Sequence, residues 1–317
     1  MSEFGYLGID LGGTNCRAGL VDGRGNLLES QALPSDLSAG VEPFLQRLGG
    51  VLRELSASAR AQGLELRAGG IGIPGVIAAD GSISCCPNLP QLQGFALAAR
   101  LEAFSACPLV ALNDANAIAL GEYRFGAALP FPSSLTVTLG TGVGGGLLLA
   151  GELWRGPDGT AGEIGHFAVD GEGRLCGCGA RGCLERYASA TGIVESVVDS
   201  LRAGESTGLT ESGLTCAAVA KAARQGDPVA AAAFQLAGQS LGQVLAGVVN
   251  LLNLDALIFA GGVSASFDLL QPALEAELQR RLFALPRTRL QLRTAALGDR
   301  AGILGAAEWA ASVEGSA

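Results

Sequence analysis

The stretch Glu163-Ile164-Gly165-His166, followed after nine residues by Cys176-Gly177-Cys178-Gly179-Ala180-Arg181-Gly182-Cys183-Leu184-Glu185, holds the only histidine of the chain and three of its eight cysteines. One imidazole and three thiols within 18 residues are a complete tetrahedral ligand set for zinc. Thiolates and a neutral imidazole hold such a dication, and the glycines let the chain turn tightly between ligands. Four protein ligands leave no position for water, so the expected Zn²⁺ on His166, Cys176, Cys178 and Cys183 is structural. Its binding, roughly 10–16 kcal/mol, would act as folding energy. The same residues also fit a buried histidine beside three inert thiols; the dense Cys-x-Cys-x4-Cys spacing favours the metal. Glu163 and Glu185 flank the ligands, so a metal clip would hold both rigidly against whatever they bind.

Working outward, Ser134 to Leu139 reads as a strand, Gly140-Thr141-Gly142-Val143-Gly144-Gly145-Gly146 as a turn, and 147–149 as a second strand before another turn and the segment 151–155. The chain begins in the same order: strand 5–10, the turn Asp10-Leu11-Gly12-Gly13-Thr14-Asn15, strand Cys16 to Val21, the turn Asp22-Gly23-Arg24-Gly25-Asn26, then strand 27–33. Two β-meanders with matching Gly/Thr turns predict an internal duplication, with two related lobes clasping one nucleotide. Such turns expose backbone N–H groups and a hydroxyl, which suit phosphate oxygens. Asp10, at the mouth of the first turn, can hold a hydrated Mg²⁺. Taken alone, the first turn is equally an ordinary hairpin with a polar tip. Gly140, Gly142 and Gly145 also match G-x-G-x-x-G, but a dinucleotide site needs a helix next, and a strand-like run follows. The only lysine, Lys221, follows Ala220, which excludes a Walker A loop.

Between the meanders, apolar positions 41, 44, 45, 48, 51, 52, 55 and 59 predict an amphipathic helix over 41–62. A strand at 70–73 ends in Pro74-Gly75. The segment 84–95 is irregular, and its Asn88 either donates and accepts toward a polyol or closes a turn. A short strand, Leu109 to Leu112, delivers Asn113-Asp114 to the start of a helix running from about Ala115 to Tyr123. An aspartate at the carboxyl end of a strand is placed either for general-base chemistry or for capping. After the cysteines, helices are expected over 191–203, from a Thr215 cap to Arg224, and from Asp227-Pro228 to about Leu252. A strand at 256–260 ends in Gly261-Gly262. Ser264 is expected to cap a helix reaching Phe283, with a strand at 289–294 and a helix at about 300–313 to finish.

The 317 residues are 49% hydrophobic and 16% charged, which suits a large α/β core rather than a disordered chain. A net charge of −9 opposes nucleic acid as a partner. No apolar run approaches the ~18–20 residues a bilayer span needs, so no membrane contact is expected. No signal peptide is visible, and Cys16, Cys85, Cys86, Cys107 and Cys216 read as reduced thiols, which places the protein in the cytoplasm.

Assembled in order, Asp10-Leu-Gly-Gly-Thr14, Asn113-Asp114, Gly140-Thr-Gly-Val-Gly-Gly-Gly146, Glu163-Ile-Gly-His166, the cysteine segment to Glu185 and Gly261-Gly262 resemble the ROK family of sugar kinases and repressors. Gly121-Glu-Tyr-Arg-Phe-Gly126 and Leu184-Glu-Arg-Tyr-Ala-Ser-Ala-Thr191 are most similar to its bacterial glucokinases. The resemblance implies a two-lobed α/β actin-like ATPase fold (ribonuclease H-like), with lobes 1–113 plus about 300–317 and 114–299. It implies ATP-dependent phosphorylation of a hexose 6-hydroxyl, glucose first, with N-acetylglucosamine, N-acetylmannosamine, fructose or mannose as alternatives. Asp114 would be the base. Asn88, Asn113, Asp114, Glu163, His166 and Glu185 would bind sugar hydroxyls. Gly12, Gly13, Thr14 and Asn15, with Thr141, Gly142 and Gly144, would cradle phosphates beside Mg²⁺ near Asp10, and Gly261 and Gly262 would border the adenosine. A homodimer through the helices of 191–252 is also implied. Many relatives carry lysine where this chain has Asn15, and tryptophan where it has Phe95. A repressor of the same family would need an N-terminal helix-turn-helix, and the first strand, starting by residue 6, leaves no room for one. A zinc hydrolase would need a coordination vacancy.

Overall fold

In the computed structural model, which describes residues 3–315, the chain builds two five-stranded sheets of identical topology. The first is ordered β3-β2-β1-β4-β7, from β1 (Glu3–Leu11), β2 (Asn15–Asp22), β3 (Leu27–Pro34), β4 (Leu64–Ile73) and β7 (Leu109–Asn113). The small hairpin β5 (Val76–Ile77) and β6 (Ile83–Cys85) lies between β4 and β7 in the chain. The second sheet runs β10-β9-β8-β11-β12, from β8 (Ser134–Leu139), β9 (Val143–Leu149), β10 (Glu152–Trp154), β11 (Ala256–Ala260) and β12 (Gln291–Thr294). In the first sheet an antiparallel meander is extended by two strands parallel to its first member. The second continues from β8 through two parallel strands in the same way. The duplication read from the Gly/Thr turns is therefore present in the strand order.

By compactness the chain divides into Met1–Pro132 with Gly146–Ala161 and Ala296–Ala317, and Ser133–Gly145 with Gly162–Ala295. The first unit buries β1, β2 and β4 against α1 (Val41–Ala61), whose Phe44, Leu45, Leu48, Leu52 and Leu55 are inaccessible or nearly so. Helix α2 (Leu97–Leu101) adds Leu97 and Leu101 to that core. The first unit also contains α3 (Asp114–Phe125) and α10 (Ala301–Glu314), and α10 packs on β1, β4 and α3. In the second unit the short α4 (Glu185–Ala188) precedes α5 (Ala190–Arg202), α6 (Cys216–Arg224) and α7 (Pro228–Leu252). Helix α7 packs on α8 (Phe267–Arg281), and α9 (Ala284–Arg289) follows. The Asp227 carboxylate accepts from Ala230 N–H, and Thr215 Oγ1 from Ala218 N–H, so both expected caps are made.

Four expectations change. Strand β4 starts at Leu64 rather than at residue 70. Strand β9 starts at Val143, so Gly144 to Gly146 belong to a strand and not to the turn; a side chain at Gly146 would meet the Ala115 carbonyl and Ala119. Ser264 does not cap the next helix. Its hydroxyl donates to the Gly261 carbonyl at 2.6 Å inside a 3₁₀ turn, and α8 begins at Phe267. That helix ends at Arg281, with a separate α9 taking Ala284 to Arg289. Among the described residues, no helix is long and apolar enough to cross a membrane.

Helix α10 approaches its neighbours backbone to backbone. A side-chain carbon at Gly8 would overlap the Ile303 carbonyl, at Gly70 that of Ala306, at Gly121 that of Ala301, and at Gly305 that of Ala117. Carbonyl oxygens of a helix cannot step aside, so Gly70→Ala is expected to destabilise the protein by at least ~2 kcal/mol in urea denaturation. Gly50→Ala, facing open space on α1, is expected to be neutral or to stabilise by up to ~1 kcal/mol.

Candidate active site

In the first unit, β1, β4 and β7 run parallel, so their carboxyl ends share one edge. Asp10 pairs in register with Gly72, and Ile73 with Asn113. Asp10 and Asn113 therefore sit at nearly one level, two strand spacings apart, or roughly 10 Å. Asn113, not Asp114, is the N-cap of α3: its Oδ1 accepts from Asn116 N–H at 3.1 Å, and its amide donates to the Gly75 carbonyl at 3.2 Å. Asp114 is the first helical residue and accepts from Ala115 N–H at 2.8 Å. The capping duty that competed for Asp114 thus falls to its neighbour. Asn88 lies in the turn closed by Leu89 N–H on the Cys86 carbonyl. Its Cβ is close to where a side chain on Gly13 would stand. Gly12 to Asn15 form the β1–β2 turn, with Gly12 N–H on the Asn15 carbonyl at 2.9 Å, and Gly13, Thr14 and Asn15 exposed.

Asp10 is only partly accessible, and burial pushes its carboxyl up to about 6. Arg17 beside it pulls the other way, and Asp299 adds to the rise. Arg17 is itself paired to Asp299 at 2.7 Å. A side chain at Gly302 would collide with the Asp10 carboxylate. A partly buried carboxylate that resists ionisation is a fitting partner for a dication, which would restore the charged form. Arg17, Asp299 and Gly302 could not be found by motif reading, since two of them lie almost a chain length from Asp10.

The second unit gathers its own set. The turn is closed by Gly140 N–H on the Gly142 carbonyl at 3.0 Å. It is tied to the start of α5 through Ala190 N–H on Gly140 and the Thr191 hydroxyl on the Thr141 carbonyl. Glu185 reaches back over this turn, its Oε2 accepting from Val143 N–H at 3.1 Å. Any side chain on Gly142 would strike that carboxylate. Gly144 lies in β9. The segment Gly162–His166 presses on the same strand, since a side chain at Gly165 would overlap the Val143 carbonyl, and Gly162 has φ +93°. Glu163 consequently lies beside Glu185: desolvation raises its carboxyl, Glu185 adds to the rise and His166 opposes it. Gly261 follows β11 with φ +86°, against the Leu139 backbone, which brings Gly261 and Gly262 to the same edge as Gly140.

The ligand atoms of His166, Cys176, Cys178 and Cys183 lie within 4.8 Å of one another and could hold a metal ion. Cys178 and Cys183 sulfurs are 3.6 Å apart, and Cys176 Sγ is 3.7 Å from His166 Nδ1. A disulfide needs about 2.05 Å, whereas four ligands at ~2.3 Å around a tetrahedral zinc stand ~3.8 Å apart. Without a cation, burial and then the neighbouring thiols push Cys183 up to about 12; a dication reverses that balance by taking the thiolate. Isolated bridges Ala168–Cys183 and Leu175–Arg181 shape the loop. With Nδ1 facing Cys176, His166 Nε2 stands 3.8 Å from Glu163 Oε2.

Two β-meander sheets of one topology, each carrying its polar turn after its first strand, define the actin-like ATPase fold. The chain belongs to the ROK family, whose sequence profile matches residues 6–313. It is 34% identical to a glucokinase of Streptomyces coelicolor over 96% of each chain. It superposes with a TM-score of 0.82 and 33% identity on a ROK family glucokinase from Streptomyces griseus solved with glucose and AMPPNP, covering 97% of this chain and 99% of that one. A ROK family transcriptional regulator, a homologue of the E. coli MLC protein, superposes at 0.85 with 26% identity, covering 96% of this chain and 77% of the regulator.

The raised Asp10 gives a signed expectation. The unfolded carboxyl has its ordinary value of 3.8 and the folded one about 6, so its contribution to stability is full below about pH 4 and is lost as pH rises through about 6. Asp10→Asn is therefore expected to stabilise the cation-free protein at pH 7.5 by ~3 kcal/mol, and to bring no such gain at pH 4. Urea denaturation of both proteins at the two pH values measures this.

Proposed function

We propose that this chain is an ATP-dependent sugar kinase that phosphorylates the 6-hydroxyl of glucose. The observation that carries the reading is Asp114, released from capping by Asn113 and set at the carboxyl end of β7 on the same edge as Asp10. The identity to glucokinases and the glucose and AMPPNP held by the S. griseus relative support the choice of substrate and donor. Another hexose is the second reading, because carboxylates and carboxamides accept and donate to hydroxyls of any hexose.

In this reading Asp114 accepts the proton of the 6-hydroxyl as the new O–P bond forms and the β–γ bridging P–O bond breaks, releasing ADP. In a loose phosphoryl-transfer transition state the proton leaves late, so orientation matters more than basicity. The first helical position of α3 supplies that orientation. Asn88, Asn113, Glu163, His166 and Glu185 bind the sugar hydroxyls. Gly12 to Asn15, with Thr141, Gly142 and Gly144, line the phosphates, and Gly261 and Gly262 the adenosine. Asp10 would hold Mg²⁺, which spreads the developing phosphate charge when bound. His166, Cys176, Cys178 and Cys183 would hold a structural Zn²⁺, fixing His166 with Nε2 toward Glu163. None of the eight cysteines is joined in a disulfide, in keeping with a cytoplasmic enzyme. Leu251, 82% exposed at the end of α7, is in keeping with a homodimer through these helices.

Coupled ADP-release assays across hexoses should give glucose the highest kcat/KM. Asp114→Asn should lower kcat by about 10²–10⁴-fold while glucose still binds in calorimetry; turnover like that of the wild type would remove Asp114 from the role of base. Cys178→Ala should lower zinc content measured by plasma mass spectrometry and the thermal midpoint together. A zinc-free wild type of undiminished stability would sink the brace.

A further inference from the structure

A cavity of about 940 Å³ lies along β7 in the first unit, walled by the β5–β6 hairpin, the loop Arg155–Thr160 and α10. Asp10, Asn88 and Asp114 do not line it. Asn113 borders it, with its Oδ1 accepting from Asn116 N–H and its amide donating to the Gly75 carbonyl. The cavity thus shares only Asn113 with the residues assigned to the proposed reaction.

Asn116 lines the cavity, is 2% exposed, and its Oδ1 has no hydrogen-bond partner. A buried carboxamide oxygen left unpaired costs about 1–3 kcal/mol, a cost that a donor seated in the cavity would offset. Facing the same space, the Arg155 guanidinium stacks 4.4 Å from the centroid of the Trp309 ring. Among the described residues Arg155 makes no ion pair. Asp80 and Asp158, one on each wall, accept from Ser82 and Thr160 through Oδ1, leaving Oδ2 outside those bonds.

The lining thus offers a donor fork, a carboxamide and two carboxylates around a flat indole–guanidinium pair. Planar donors and acceptors beside an aromatic surface match vicinal hydroxyls and the C–H face of a pyranose. Two carboxylates against one guanidinium disfavour an anion such as a phosphosugar. The volume, at the upper end of the roughly 300–1,000 Å³ range of small-molecule sites, exceeds what one pyranose fills. We propose that this cavity is a second carbohydrate site, taking a neutral oligosaccharide of two or more pyranose rings.

The test is titration calorimetry with maltose and with cellobiose on the full-length protein saturated with glucose. Saturable binding of either disaccharide is expected, weakened about tenfold in Arg155→Ala, the loss of one charge-assisted hydrogen bond, and about fivefold in Asn116→Leu, the loss of a neutral one. Arg155→Ala, at an accessible position, keeps the test valid should Asn116→Leu fold poorly, and its glucose phosphorylation should be unchanged. No binding of either disaccharide into the tens-of-millimolar range overturns the proposal. So does binding that disappears when glucose saturates the protein, or binding that both variants leave intact.

Discussion

The first unit depends on how closely helix α10 can lie to its neighbours. Carbonyl oxygens of Ile303 and Ala306 stand where side chains of Gly8 and Gly70 would be, and glycines at 121 and 305 do the same between α10 and α3. These are contacts of backbone on backbone, with no rotamer to adjust, so they set spacing more rigidly than interdigitated leucines do. Through them the last helix fixes the height of β1 and β4 and the axis of α3. Asp10 is the penultimate residue of the first of those strands, and Asp114 begins that helix. Gly302, one turn before Gly305, leaves room for the Asp10 carboxylate itself. The acid edge of this unit is therefore as well placed as the closing helix allows.

Burial and charge pull against each other at that edge. Asp10 resists ionisation because burial outweighs the nearby Arg17. A residue kept only for folding would be neutral or fully paired. Glu163 repeats the pattern in the second unit, where desolvation and Glu185 work together. Both carboxylates stand where burial works against the charged form, the setting in which a bound cation or a set of hydroxyl donors gains most.

Much of this was legible in sequence because the signals were local. The meander-turn-meander repeat needs only short-range pattern, and the four metal-ligand candidates fall within one loop whose glycines announce the turns. Asp227-Pro228 and Thr215 are helix starts written in adjacent residues. What misled was equally local. Gly144 to Gly146 looked like turn residues because glycine breaks strands, yet they lie in β9, where Gly145 lets it pass close to Gly162 and Gly146 close to α3. Ser264 looked like a cap, but a 3₁₀ turn comes first. At the Asn113-Asp114 pair the sequence could not choose between cap and base. Either side chain can cap but only the aspartate can take a proton, and only the geometry gave the cap to Asn113.

The chain's own order of residues determined the α/β class, the duplication, the thiol and imidazole ligand set and the acids that end the strands, since each is encoded in spacing along a few residues. Only the tertiary structure decided that Arg17, Asp299 and Gly302 surround Asp10, that Glu185 folds back onto Val143, and that Asn116 is buried beside a cavity. Those contacts join residues tens to hundreds of positions apart. Pairing at such separations is set by how helices and sheets pack, and no periodicity in the chain carries it.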